Sequence, residues 1–148
     1  MLRSLVGSEM CIRDRHYVHA GMIGLYGEKM SKSKGNLVFV SSLLAAGIDP
    51  FVIRWSLMGH HYRVDRMWND ETLAEAIVQV ERLRKALALK EVAPTTELIK
   101  HVLDSLSNDL DTVSVVKAIN EWSDQTLKGS FGGSSEQLKT VLRSLLGL

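Results

Sequence analysis

Between residues 73 and 87 the large apolar side chains fall at Leu73, Ile77, Val80, Leu83 and Leu87, spaced by three and four. That spacing returns to one side of a 3.6-residue turn, so it predicts a long helix with a single apolar face that must be buried. Asn69 stands where an N-cap belongs, and the helix is expected to run from there to about Leu89. The pattern recurs downstream. Pro94 and Thr95 open a helix carrying Leu98, Val102, Leu103 and Leu106, and Asp111 opens one carrying Val115, Ala118, Ile119 and Trp122. A Gly/Ser stretch, Gly129 to Ser135, links to a last helix with Leu138, Val141, Leu142 and Leu145, where Ser134 and Gln137 suit a capping box. Helices with one apolar stripe each can hide it only on one another, so this half reads as a helical bundle. Leu73, Ile77, Val80, Leu83, Leu106, Val115, Ile119, Trp122, Leu138 and Leu142 are expected inside.

Upstream the grain changes. His16 to Tyr26 mixes aromatic and β-branched residues with Gly21 and Gly24, and predicts one or two short strands with tight turns. Gly27 to Asn36 reads as a polar loop and Leu37 to Val40 as an extended apolar run. Ser41 or Ser42 is expected to cap a short helix through Ala46, ended by Gly47. Asp49 and Pro50 open another, whose Phe51, Ile53, Leu57 and Met58 spread around its circumference and predict burial. The boundary between the two parts is expected near Tyr62 to Asn69. The fold class is mainly α, with short strands at the front.

Composition narrows the function classes. A chain of 148 residues that is 45% hydrophobic and 24% charged fits a globular protein of one domain, or one plus part of another. A net charge of +1 gives no global field to gather nucleic acid or an anionic membrane. No apolar run reaches the ~20 residues that span a bilayer. One cysteine, Cys11, excludes an internal disulfide, and cytoplasm is the expected compartment. Glu9 to Arg15 back-translates to a string resembling the transposon-end tag of sequencing libraries. Residues 1–15 are therefore expected to be non-native, with the native protein extending upstream of His16.

The chemistry is carried by Lys29-Met30-Ser31-Lys32-Ser33. Two lysines three apart, in a loop of small polar residues, suit a polyphosphate. Each is a point charge on a flexible stem that can follow a moving phosphate, and serine hydroxyls and loop amides add hydrogen bonds. When a nucleophile attacks the α-phosphate of ATP, pyrophosphate departs with growing negative charge. Cations aimed at that charge act more strongly on the transition state than on bound ATP.

The string, followed by Lys34-Gly35-Asn36, resembles the second signature of class I aminoacyl-tRNA synthetases. His19-Ala20-Gly21 before it, Asp49-Pro50-Phe51-Val52-Ile53-Arg54 after it and His60-His61-Tyr62-Arg63 beyond resemble the cysteine branch of that family. Gly35 to Ser41 and His61 to Trp68 are most similar to the mycothiol-pathway cysteine ligases within the branch; cysteinyl-tRNA synthetases are the neighbouring relatives.

The resemblance implies the following expectations. Residues 16–68 are the C-terminal edge of a class I, Rossmann-like nucleotide-binding domain, and residues 69–148 are a C-terminal helical bundle. The full protein activates cysteine with ATP and Mg2+ as cysteinyl-adenylate and transfers it to the amine of glucosaminyl-inositol. Lys29 and Lys32 are the catalytic cations, and Met30, Ser31 and Ser33 complete the ATP-binding loop, with the backbone near Ile23 at the adenine edge. Zinc ligands and the first signature are expected upstream of this chain, with none here, so the chain alone is expected to be inactive. Transfer to tRNA is the rival, and a non-catalytic helical module a remote third. A tRNA partner calls for a basic stripe. The helical part instead carries Glu71, Glu75, Glu81, Glu91, Glu97, Asp104, Asp109, Asp111, Glu121, Asp124 and Glu136, which balance or exceed its cations.

Other polar residues have plain structural readings beside the functional ones. Trp68 and Trp122 are read as packing residues. His60 and His61 are read as helix-end caps, with substrate contact as the alternative. His19 either orients nucleotide or is structural. Asp109 and Asp111 are read as helix-start residues that cap. Glu81, Arg82, Arg84 and Lys85 are read as a solvated helix face.

Overall fold

The structure, a computed structural model, describes residues 18–148 and opens on a hairpin. Strand β1 (Ile23–Leu25) turns back into β2 (Glu28–Lys29), with Gly24 opposite Lys29 and Leu25 opposite Glu28. The two-residue turn has φ of 49° at Tyr26 and 83° at Gly27. Positive φ at both central positions gives the twist that matches antiparallel strands, and glycine makes the second position cheap. The expected loop therefore begins at Met30, three residues later than Gly27, because Glu28 and Lys29 are drawn into the ladder. The segment read as a tag lies outside the described residues, as does His16.

Helix α1 (Val40–Ala45) also departs from expectation. Neither Ser41 nor Ser42 caps it. Phe39 takes the N-cap position in extended geometry without a side-chain bond, and its carbonyl accepts the amides of Ser42 (3.0 Å) and Leu43 (3.2 Å). Val40 thus belongs to the helix rather than to an extended run. Asp49 caps α2 (Pro50–Met58) as expected, accepting the Phe51 amide at 2.7 Å. Phe51, Val52, Ile53, Trp55 and Ser56 of α2 are buried.

The boundary segment holds a third strand, β3 (Arg66–Trp68), which the sequence did not announce. It lies parallel to β1, with Ile23 opposite Arg66 and Leu25 opposite Trp68, so the sheet order is β2-β1-β3. A parallel pair needs a crossover, and α1 with α2 supplies it.

The rest is helical. Asn69 caps α3 (Asp70–Leu87), its Oδ1 accepting the Thr72 amide at 2.7 Å and the Thr72 hydroxyl at 2.6 Å. Acidic Asp70 and Glu71 begin α3, and Arg84 and Lys85 close it, complementing its dipole. Helix α4 (Thr96–Ser107) leads to α5 (Thr112–Leu127), capped by Asp111, which accepts the Ser114 amide at 3.0 Å. Helix α6 (Ser135–Val141) runs into a wide π turn over Leu142–Leu146.

Helices α2 to α6 share one core. Val80, Leu83, Val115, Ile119, Trp122, Leu138 and Leu142 lie within it, and Leu73, Ile77 and Leu106 pack half-buried against it. Two expected stripe members face water. Leu103 sits off the buried side of α4, and Leu145 is displaced by the π turn. With more than four residues per turn, the position that returns to the core is i+4, so Leu138, Leu142 and Leu146 are buried instead.

The Gly/Ser stretch is pinned rather than a free linker. Gly133 bridges to Val92, and a Cβ there would meet the Ala93 carbonyl oxygen at 2.5 Å. Trp122 is buried as expected and also donates its indole N–H to the Ala93 carbonyl (3.1 Å), which locks the α3–α4 connection onto α5. The solvated face of α3 is partly paired: Arg82 meets Asp124 of α5, and Arg84 meets Asp49 at the start of α2 (2.8 Å).

Candidate active site

The signature string starts in β2 and ends in a turn. Lys29 is the last residue of the hairpin, and the chain then leaves the sheet at Met30. Met30 is half-buried and lines an apolar cavity of about 170 Å³ together with Ile23, Val38, Val40, Leu43, Ile53, Leu57 and Trp68. The cavity draws walls from β1, α1, α2 and β3, so the root of the loop is seated on four elements. Beyond Met30 the chain folds into a tight turn, with the Gly35 amide donating to the Lys32 carbonyl at 3.2 Å and Gly35 at a φ of 65°.

Asn36 ties the two ends of the loop together. Its carboxamide accepts the Ser31 amide at 2.8 Å and donates to the Lys29 carbonyl at 3.3 Å. The Ser31 hydroxyl lies 3.3 Å from that of Ser33 and accepts the Lys34 amide at 3.3 Å. Serine and asparagine side chains thus replace the backbone ladder that the loop has left, which keeps it ordered without burying it. Asn36 was named only as part of the string. Its role follows from an amide side chain that can accept from one loop strand and donate to the other.

The cations are laid out on the outside of this turn. Lys29, Lys32 and Ser33 are exposed, and neither Lys29 nor Lys32 enters an ion pair among the described residues. Lys34 is held by Glu28 at 2.8 Å. Arg66, opposite Ile23 in the parallel pair, is a further cation; burial pushes its guanidinium pKa down, and it forms no ion pair among the described residues. The structure thus brings Ile23 and Met30 into one cavity, ends β2 at exposed Lys29, and carries Lys32 and Ser33 on the exposed turn that follows, with Ser31 half-buried at its neck.

A second polar cluster lies away from the loop. Arg63 donates to both carboxylate oxygens of Asp109, from Nε at 2.7 Å and Nη2 at 2.9 Å. The Tyr62 hydroxyl donates to the same carboxylate at 2.7 Å, and a His61 ring nitrogen lies 3.0 Å from the Asp109 carbonyl oxygen. The Arg63 guanidinium, then the Tyr62 hydroxyl, hold the Asp109 carboxyl well below its ordinary range, at about 2. The same contact with Asp109 raises the Tyr62 phenol. Asp109 is therefore not a helix cap. It sits two residues before the cap, at a φ of 54°, and its side chain reaches back across the fold. Asp111 does cap, and its pKa is lowered chiefly by the Ser114 hydroxyl and amide. His61 belongs to this cluster. His19 and His60 are exposed.

Among the described residues no three His, Cys, Asp or Glu side chains come together in a way that could hold a metal ion, and no helix is long and apolar enough to cross a membrane. An ATP polyphosphate suits the described residues: an exposed turn, two lysines without ion-pair partners among those residues, two hydroxyls, and an apolar floor.

Comparison with known proteins identifies the family. The L-cysteine:1D-myo-inositol 2-amino-2-deoxy-alpha-D-glucopyranoside ligase of Stackebrandtia nassauensis is 46% identical over 136 residues, which is 90% of this chain and 32% of that protein. The protein of the same name from Thermobifida fusca is 44% identical over 136 residues, 90% of this chain and 33% of its own length. That from Nakamurella multipartita is 51% identical over 117 residues, 78% of this chain and 29% of its length. The chain thus spans about a third of the length of the curated relatives it matches. The family described as tRNA synthetases class I (C) catalytic domain matches residues 5–78, taking in the 29–33 turn, α1, α2, β3 and the start of α3. Half of this chain lies within that match, and the chain belongs to the class I (C) tRNA synthetase catalytic-domain family.

Proposed function

We propose that this chain supplies the ATP-handling loop of a ligase that activates cysteine as cysteinyl-adenylate and transfers it to the amine of glucosaminyl-inositol. The observation that carries the reading is the loop itself. Met30 is sunk with Ile23 into an apolar floor while Lys29 and Lys32 stand exposed, without ion-pair partners among the described residues. Supporting the acceptor are relatives whose names specify cysteine and an amino-deoxy-glucopyranoside of inositol.

In the activation step a cysteine carboxylate oxygen attacks the α-phosphorus of ATP and the bond to pyrophosphate breaks. Lys29 and Lys32 meet the charge that grows on the departing pyrophosphate, and Ser31 and Ser33 hold the closed turn. Mg2+ travels with ATP. The backbone near Ile23 borders the adenine. In the second step the acceptor amine attacks the cysteinyl carbonyl, AMP leaves with the bonding pair, and an amide forms. Zinc belongs to residues outside this chain, and the cytoplasm is the proposed compartment. Residues 16–68 act as the edge of the nucleotide domain and 69–148 as the bundle behind it.

The test uses a full-length protein carrying this chain. Lys29→Ala and Lys32→Ala should each slow adenylate formation by about 10²-fold or more. ATP affinity should change much less, and attack of the amine on preformed adenylate should barely change. Single-turnover measurement of both steps reads this out. Equal slowing of both, together with weaker ATP binding, would make the lysines general binding groups. A second reading, transfer of cysteine to tRNA, draws on the description of the matched family. Offering glucosaminyl-inositol and tRNA side by side decides, since turnover of tRNA alone overturns the aminosugar.

A further inference from the structure

The segment joining α2 to β3 is fastened on both sides. On the bundle side, Asp109 holds Arg63 through two bonds and Tyr62 through one, with His61 stacked on Tyr62 at 4.9 Å and the Arg63 guanidinium 5.0 Å from the Tyr62 ring centre. Toward the sheet, the Tyr62 carbonyl accepts the Gly21 amide at 2.7 Å, the Asp65 carboxylate accepts the Met22 amide at 2.6 Å, and the Arg66 amide donates to the Met22 carbonyl at 2.9 Å. Gly21 packs so closely on this strap that a Cβ would run into the Val64 carbonyl. Directly after Met22 the chain enters β1, whose hairpin partner ends at Lys29.

The anchor on the bundle is itself in an unusual conformation. Asp109 and Leu110 have φ of 54° and 55° in succession, and neither is glycine. Leucine rarely adopts that region, and such backbone persists only where surrounding contacts determine it. Here those contacts are the backbone bonds of the turn, from the Leu110 amide to the Leu106 carbonyl (3.2 Å) and from the Asp111 amide to the Ser105 carbonyl (3.0 Å), together with the Asp109 carboxylate and carbonyl on residues 61–63.

We propose that Asp109 is a positioning residue for the 29–33 loop: by clamping Arg63 and Tyr62 it fixes the strap 62–66, and through the strap the register and angle of the β1–β2 hairpin that presents Lys29. This rests on the ATP-handling reading above and assigns the helical half a task in the reaction that the loop sequence does not contain. A lysine displaced by an ångström from a departing phosphate loses much of its effect on the transition state while still binding ATP.

The variant that separates positioning from folding is Asp109→Gly. Glycine accepts positive φ, so it relieves the backbone while removing the clamp. Arg63→Gln removes the clamp from the other side and leaves residue 109 unaltered. Asp109→Asn keeps an acceptor and tolerates the conformation, and should fall between Asp and Gly. Hydrogen exchange on the full chain is the first measurement. In both clamp-breaking variants the Gly21, Met22 and Arg66 amides should lose protection by about tenfold or more, while the core amides of Val80 and Ile119 keep theirs. Unchanged protection at Gly21 and Met22 overturns the proposal. So does loss of protection throughout α3 and α5 in both variants, because Asp109 would then serve stability at large.

The second measurement is ATP–pyrophosphate exchange in a full-length protein carrying this chain. The same variants should lower kcat by about 10-fold to 100-fold, with KM for ATP moving by less than about twofold. Absence of exchange with Asp109 intact would sink the adenylate reading instead, and hydrogen exchange would still judge the clamp.

Discussion

Asn36 is a single side chain that holds the loop closed at its neck, and replacing it should loosen the loop without unfolding the chain. Asn36→Ala removes one bond to the Ser31 amide and one to the Lys29 carbonyl, both at a largely exposed site. Bonds of that kind contribute about 1 kcal/mol each at most when water can replace them. Hydrogen exchange at the Ser31 amide should speed up, while the thermal midpoint moves by no more than a few degrees. Asn36→Asp can still accept the Ser31 amide but cannot donate to Lys29, so it should protect Ser31 and leave adenylation impaired. A loop indifferent to both changes would mean that Met30 alone seats it. Some of the site was legible from residues alone. Residues 30–36 read as a polar loop because small hydroxyl and amide side chains there leave no apolar period, and the structure holds them in a loop tied by Asn36. Asp109 was misread for the opposite reason. Its neighbours in sequence suggest a cap, and the partners that define it, Arg63 and Tyr62, are 46 and 47 residues away.

At the scale of elements, α3 is the strut between α2 and α5, and its Leu83 is fully buried. Leu83→Ala deletes buried apolar volume that neighbouring helices cannot fully reclaim, and should cost about 2–5 kcal/mol in urea unfolding. Val78→Ala, on the exposed side of the same helix, should cost well under half of that. Equal costs would mean that α3 does not bury the face shown here. The helices were legible because period, caps and stops are local signals: Asn69, Asp49 and Asp111 accept the backbone amides their positions predict, whereas Ser134 takes the Glu136 amide at 3.5 Å and forms no box with Gln137 among the described residues. β3 was not legible. Arg66-Met67-Trp68 is too short for alternation to register, and its strand character comes from β1, 43 residues earlier. The displaced start of α1 carries no such local signal, since Phe39 caps it through its backbone alone, with no side-chain bond.

Over the whole molecule, acid should act on several joints at once. Asp49 is held below its ordinary pKa first by Arg84, Asp109 by Arg63, Asp111 by Ser114 and Glu136 by Lys139. Each folded pKa lies below the unfolded one, so each contribution is present above about pH 4 and is lost as pH falls toward the folded value, about 2 for Asp109. These pairs are solvent-exposed, so each loss is small and salt weakens it further. The thermal midpoint should hold steady from neutral pH to about pH 5 and then fall progressively. High salt should flatten the acid drop; a midpoint that rises on acidification would contradict the assigned pairs. The parallel pairing of β1 with β3 has a consequence for synthesis. A ribosome adding about 5–20 residues per second makes β1 roughly 2 to 9 s before its partner strand exists. Throughout that interval the nascent hairpin offers one unpaired backbone edge where β3 will dock. Its other edge is only two residues long, and both are charged, Glu28 and Lys29. A short charged edge is a poor template for another chain, so the lysine assigned to ATP also guards the newborn strand against pairing with its neighbours on the polysome.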